Sequence, residues 1–342
     1  MKRSGAILTS VVAITAVLVC LLLPSLLQAA EPLAKLRYAH WFPPTHPHAV
    51  LIDQWCKEVE KRTDGRVKVT HFPGATLSPI AQIYDGVAKG VFEVGVAPTS
   101  YTAGRFPLSE VVDLPLGYSG GNQATRVANE FYNKFRPKEF DDVKMLYLHA
   151  HGPGFIHTKK PISKVDEVKG LRIKSTGLSG KIVSVLGGTP VTIPLTETYE
   201  AVQRGIVDGL IIHNEVLKTF RFGEVAKCTV MDHGVSNTTM FVTVMNKQKW
   251  VGLPKDVQQI IDKMSAEWAD KTATVYVQLD KEGDDYLAQS GNKVVKVSKE
   301  EEAKTAAKMK PILGDYVQSM KAKGLPGDEA LKFCLDYMKA HP

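Results

Sequence analysis

DEVKGLRIKSTGLSGKIVSVLGGTPVTIPLTETYEAVQRGIVDGLIIH, residues 166–213, reads as strand, helix, strand, helix, strand. Apolar runs at 171–174, 190–193 and 209–213 alternate with helical periodicity at 179–186 and 197–204. That alternation implies parallel strands joined by right-handed crossovers. One cation, Arg172, stands in the first strand between Leu171 and Ile173. A guanidinium among buried aliphatics needs an anionic partner to offset its desolvation. Its planar fork matches a carboxylate with two bonds, where a lysine offers a point charge. The segment therefore predicts recognition of an organic acid, with Arg172 as the clamp.

The same rhythm precedes this segment. Strands are expected at 35–41, 66–72, 91–97 and 144–150, with a helix opened by Pro47 that carries Leu51, Trp55 and Val59 on one face. Further helices are expected at 78–89, with Ser78-Pro79 as cap and first turn, and at 122–135. After strands near 155–158, 227–232 and 238–245, Pro254 opens a long helix carrying Val257, Ile261, Met264, Trp268, Val275 and Leu279. About 28 residues at ~1.5 Å each reach ~40 Å, enough to lie across two lobes as a strut. Helices around 300–323 and 328–338 finish the chain. The expected fold is α/β, with two lobes that are each a mainly parallel sheet flanked by helices. Lobe I takes residues 31–149 plus about 238–280, and lobe II takes 150–237 plus about 281–342.

Residues 1–30 read as a secretory signal peptide: Lys2 and Arg3, an uncharged apolar run from Ala6 to Leu27, then Gln28-Ala29-Ala30. Export to the periplasm follows as the expectation. Removing those two basic residues takes the formal net charge from +7 to +5. The charges are scattered with no basic stripe, so no nucleic-acid partner is expected. Beyond the leader remain Cys56, Cys228 and Cys334, an odd number at wide spacing with no CxxC pair. They read as three buried thiols, with one disulfide plus a free thiol as the alternative.

In open parallel sheets ligands sit outside the carboxyl ends of the strands. The candidate ligand contacts are therefore Trp41 and Phe42 after the first strand, Ser100 and Tyr101 after the third, and His213 and Asn214 after the strand 209–213. His151 and Phe155, at the passage into the second unit, join them. The aromatics suit a flat or bulky apolar ligand body.

Taken together, three stretches resemble a known family: KKPISKVDEVKGLRIKSTG (159–177), LGGTPVTIPLTETYEAVQRGIVDG (186–209) and AHWFPPTHP (39–47). In order and spacing they are similar to the substrate-binding proteins of tripartite ATP-independent periplasmic (TRAP) transporters, the DctP type. The resemblance implies a periplasmic-binding-protein-like clamshell that closes on a small organic acid and delivers it to TRAP membrane permease subunits. It assigns the carboxylate fork to Arg172 and a second contact to His213 and Asn214. A further family arginine would fall near Gly154 and is absent, which favours a monocarboxylate over a C4 dicarboxylate. No cofactor, no metal and no catalytic residue are expected, and a monomer is the expected state.

The rival readings rest on histidines. His149 and His151 share one strand face, and His40, His46 and His48 cluster after the first strand, but no carboxylate or cysteine completes a metal spacing. They are expected to line a polar cleft. Neither GxxxxGK[ST] nor GxGxxG occurs, and Ser179 lacks a GxSxG frame. An exported enzyme acting on organic acids would have only His151 and His213 as bases.

Overall fold

The computed structural model describes residues 31–342; the signal-peptide expectation lies outside them. Its strands are β1 (Ala34–Ala39), β2 (Val67–Phe72), β3 (Val94–Pro98), β4 (Val143–Ala150), β5 (Gly154–Thr158), β6 (Arg172–Lys174), β7 (Thr189–Val191), β8 (Gly209–His213), β9 (Cys228–Met231), β10 (Met240–Asn246) and β11 (Lys293–Lys296). They form two sheets, in the orders β2-β1-β3-β10-β4 and β11-β9-β5-β8-β6-β7. One strand in each sheet runs against the others: β10 in the first and β5 in the second. Both are the strands that begin just after the chain has crossed between lobes. A chain arriving from the other lobe enters at the cleft edge and runs away from it, whereas the strands of βαβ units run toward it. The pairings Gly154↔His213 and Met240↔Ala150 show those entries beside the carboxyl ends of β8 and β4.

The helix Pro47–Arg62 starts as its sequence dictates, with Pro47 in the first turn and the His46 side chain accepting from the His48 N–H. It buries Leu51, Ile52, Trp55 and Val59 against the first sheet. The segment after Ser78-Pro79 differs from the expected single helix. It opens as a 3₁₀ turn at Ile80–Gln82, with no side-chain cap, before the short helix Ile83–Ala88.

The strut is the helix Lys255–Gln289, 35 residues long, or ~52 Å at ~1.5 Å per residue. Toward its start it grips the first lobe. Trp268 Nε1 donates to Leu51 O at 3.0 Å, Arg62 forks Glu267 at 2.9 and 2.8 Å, and Lys144 meets Asp262 at 2.7 Å. Toward its end it grips the second, where Lys218 reaches Glu282 and Asn214 Nδ2 donates to Asp284, each at 2.7 Å. Gly283 lets the backbones meet there: a Cβ would lie 2.7 Å from Asn214 C and Glu215 N.

The tail divides differently from the expected assignment of 281–342 to lobe II. Helix Lys299–Ala322 touches both lobes: Thr305 Oγ1 donates to Asp232 Oδ1 at 2.9 Å and Lys308 to Asp166 at 2.6 Å on the second, while Tyr316 Oη donates to Leu108 O of the first at 2.8 Å. The closing helix Gly327–Ala340 returns to the first lobe, with Phe333 edge-on to Phe135 at 5.8 Å and Gln123 Nε2 donating to His341 O at 2.9 Å. An amphipathic helix buries its apolar stripe wherever a matching groove lies, and the helix Gly121–Phe135 supplies one. Cys56, Cys228 and Cys334 are free, buried thiols. Among the described residues no helix is long and apolar enough to cross a membrane.

Candidate functional site

Between the sheets lies a narrow cleft, about 580 Å³ of non-atom space when its solvent-open mouth is counted in full. Lobe I supplies Trp41, Phe42, Ser100 and Tyr101 from the loops that follow β1 and β3, with Phe241 from β10. Lobe II supplies Lys174 at the end of β6, His213 at the end of β8, and Glu215 and Phe220 beyond it; His151 comes from the crossing, and the strut adds Tyr276. At the mouth, Ser100 faces Gly177 so closely that a Cβ on Gly177 would come within 3.0 Å of Ser100 Cβ. Gly177 also has a φ of +53°, which glycine adopts at least cost.

Six of the nine expected contacts line this cleft: Trp41, Phe42, Ser100, Tyr101, His151 and His213. Arg172, Asn214 and Phe155 do not. Arg172 is 47% exposed and has its anion already. Its Nε and Nη2 fork Asp208 at 3.2 Å each, Nη2 also donates to Gly205 O at 2.7 Å, and its backbone N–H reaches Asp208 at 2.9 Å. The Arg172 hydrogen bonds hold the Asp208 carboxyl below its ordinary range. The KGLRI and VDG stretches therefore clasp one another at the outer start of β6. Arg172→Ala is expected to leave ligand affinity within about twofold by calorimetry. It should lower the melting temperature by about 1–2 °C, since a half-exposed ion pair contributes up to ~1 kcal/mol.

Asn214 turns the other way from its neighbour and ties the strut. Phe155, on the reversed strand β5, packs edge-on against His233 at 5.1 Å. Asn214 lies in the turn that follows β8, where its side chain is taken up by Asp284 of the strut and not by the cleft.

The cation inside the cleft is Lys174. It is 2% exposed, and its one hydrogen bond runs from Nζ to Tyr101 Oη at 3.4 Å. Among the described residues no carboxylate lies within ion-pair distance of it. Burial alone brings its pKa down from 10.5 to about 8, because an ammonium stripped of water lacks compensation. Lys174 shares its strand face with Arg172, but it stands at the carboxyl end, where ligands meet parallel sheets. That rule, applied to this strand as to the others, selects Lys174.

The same lobe also brings a buried acid to the cleft, two residues beyond β8. Burial works against the charged form of Glu215, yet bonding to His213 and His46 holds its carboxyl well below the usual range. His213 Nε2 donates to Glu215 Oε1 at 2.9 Å, the Thr219 hydroxyl donates to Oε2, and His46 Nε2 lies 3.6 Å from Oε2. His151 stacks on His213 with ring centroids 4.0 Å apart, and burial followed by repulsion from His213 pushes its pKa well down. His46, His48 and His149 form an imidazole stack behind the aromatic wall, at 5.5 and 5.7 Å. His40 pairs with His71 at 3.3 Å. The expected histidine-lined cleft thus reduces to His151 and His213.

The family model that matches is DctP, "bacterial extracellular solute-binding protein, family 7", over residues 38–319. A TRAP periplasmic solute-binding protein of Desulfovibrio salexigens, solved open with the C-terminus of a symmetry mate in its ligand-binding site, is 32% identical. It superposes with a TM-score of 0.78 over 91% of this chain and 97% of its own. A TRAP solute-binding protein of Rhodoferax ferrireducens, solved with copurified benzoate, is 27% identical, with a TM-score of 0.82 over 90% and 98%. The C4-dicarboxylate-binding periplasmic protein DctP of Rhodobacter capsulatus is 28% identical over 77% of this chain and 79% of its own. The match spans both lobes and the strut, and the chain belongs to the DctP family of bacterial extracellular solute-binding proteins.

Proposed function

We propose that this chain is a periplasmic receptor for a monocarboxylate with an aromatic or bulky apolar body, which it hands to TRAP membrane permease subunits. The observation that carries the reading is Lys174, a buried ammonium without a counter-ion at the carboxyl end of β6. A ligand carboxylate seated there supplies the missing charge and accepts bonds in a site shielded from water. The ligand body then lies against Trp41, Phe42, Phe220, Phe241 and Tyr276. Micromolar binding needs about −8 kcal/mol, so burial of that body between the lobes has to add substantially to the charged contact. The similarity to a protein that copurified with benzoate supports this ligand class.

A C4 dicarboxylate is the second reading, favoured by the likeness to the DctP protein of Rhodobacter capsulatus. It would bring two anions to a cleft with a single buried cation and the Glu215 carboxylate in its wall. A thermal-shift and calorimetric screen decides between them. Benzoate, phenylacetate and mandelate are expected to raise the melting point by several degrees at 100 times Kd, the mass-action gain being ~2.7 kcal/mol. Response to succinate or fumarate alone would overturn the monocarboxylate reading. Conversion of any bound acid to product would replace the receptor with an enzyme.

A further inference from the structure

The hydrogen bonds around His213 and His151 fix what the cleft presents besides its cation. His213 Nε2 is committed to Glu215 Oε1 at 2.9 Å, and a carboxylate can only accept, so Nε2 carries the hydrogen. His213 Nδ1 is buried with no partner among the described residues, although His213 lines the cleft and is only 5% exposed. His151 Nδ1 lies 2.6 Å from Gly152 O, again an acceptor, so its hydrogen sits on Nδ1 and Nε2 keeps a free lone pair. The two rings stack at 4.0 Å, an arrangement that disfavours charging both. His46 is fixed in the same way, since its Nδ1 accepts the His48 N–H. Its Nε2 therefore carries a hydrogen and faces Glu215 Oε2 at 3.6 Å, beside the bonds that His213 and Thr219 give that carboxylate.

Besides its one buried cation, Lys174 on β6, the cleft thus holds two imidazole nitrogens able to accept a hydrogen bond, at the end of the neighbouring strand β8 and in the crossing, with the Glu215 carboxylate beside them. A second carboxylate meets lone pairs there. An unsubstituted ring leaves a buried acceptor unpaired, which carries its own penalty. A hydroxyl on the ligand satisfies it. We infer that His213, seconded by His151, accepts a hydrogen bond from a ligand hydroxyl, and that the receptor selects hydroxylated ring acids over bare ones. The inference rests on the ring-acid reading above and adds the group that the far end of the site recognises.

The test uses the full mature chain and isosteric probes measured by calorimetry: benzoate, its 3- and 4-hydroxy and methoxy derivatives, and isophthalate. One hydroxybenzoate is expected to bind at least about fivefold more tightly than benzoate. The methoxy analogue, which accepts but cannot donate, should bind no better than benzoate, and isophthalate should bind worst. In His213→Phe the ratio of hydroxybenzoate to benzoate affinity should fall below about twofold, whatever the absolute affinities; if that variant fails to fold, the probe series on the unaltered chain still decides. Equal affinity for hydroxy and methoxy acids, or tightest binding of isophthalate, would overturn the inference and leave the ring-acid reading standing. If no ring acid binds at all, the ring-acid reading fails and takes the inference with it.

Discussion

Replacing Lys174 by methionine is expected to abolish acid binding and, at the same time, to stabilise the empty protein. Methionine fills nearly the same volume without the charge, so no cavity opens in the wall between Tyr101 and Leu195. Removing one partner of a desolvated ion pair costs ~3–5 kcal/mol, so Kd for the cognate acid should rise at least a hundredfold. The empty protein responds in the opposite sense. Burial lowers the Lys174 pKa from 10.5 to about 8. At ~1.4 kcal/mol per unit, carrying that ammonium costs the fold about 3 kcal/mol. Losing the penalty should raise the apo melting temperature by about 5 °C. Calorimetry with the acid and a thermal melt without it read the two effects separately. A variant that binds normally removes Lys174 from the site, and one that loses binding and also melts lower has lost structure.

The two-lobed architecture was legible because it follows from periodicity. Alternating short apolar runs and helical stripes located the strands through β10, and a long stripe after Pro254 announced the strut, which continues to Gln289. Sheet order carries no such signal. The reversed directions of β5 and β10 come from the crossings, and the edge strand β11 is only four residues, KVVK, with two half-buried positions. Within the site the strand-end rule recovered the residues flanking β1, β3 and β8. It was not applied to β6, where the fork chemistry of arginine drew the choice to Arg172, two residues too early. Arg172 and Lys174 lie on one face of β6, and their fates diverge only through position along it: one reaches Asp208 near the surface, the other ends inside the cleft. A lysine in an aliphatic strand carries no mark of burial in the sequence. Glu215 was missed although its partners His213 and Thr219 are close in sequence, and Phe241 and Tyr276 were missed because the rings they pack on, such as Trp41 and His48, are far away in the chain. Asn214 was included as a strand-end residue and Phe155 as a wall aromatic, but the first is drawn to Asp284 of the strut and the second packs on His233.

The lowered pKa of Lys174 also makes binding depend on pH in a defined direction. A carboxylate binds the charged ammonium, and its presence drives the pKa back toward 10.5 or above. Between the free value of about 8 and the bound value, binding therefore takes up a proton. Kd should be flat below pH 7.5, then rise close to tenfold per unit, reaching about seventy-fold at pH 10 relative to pH 7. Stability of the empty protein runs the other way. Below about pH 8 the folded and unfolded chains both carry the charge, and the fold bears the whole cost. Above it the folded state has released a proton that the unfolded chain keeps until 10.5, so this group's contribution to stability rises with pH. Other groups titrate in the same range, and comparison with Lys174→Met cancels them: the melting-temperature advantage of the variant should shrink from about 5 °C at pH 7 toward zero near pH 10.5. Opposite slopes for binding and for apo stability, meeting near pH 8, identify a single buried amine as their source. A Kd that stays level from pH 7 to 10 would show that the acid is held by a group other than Lys174.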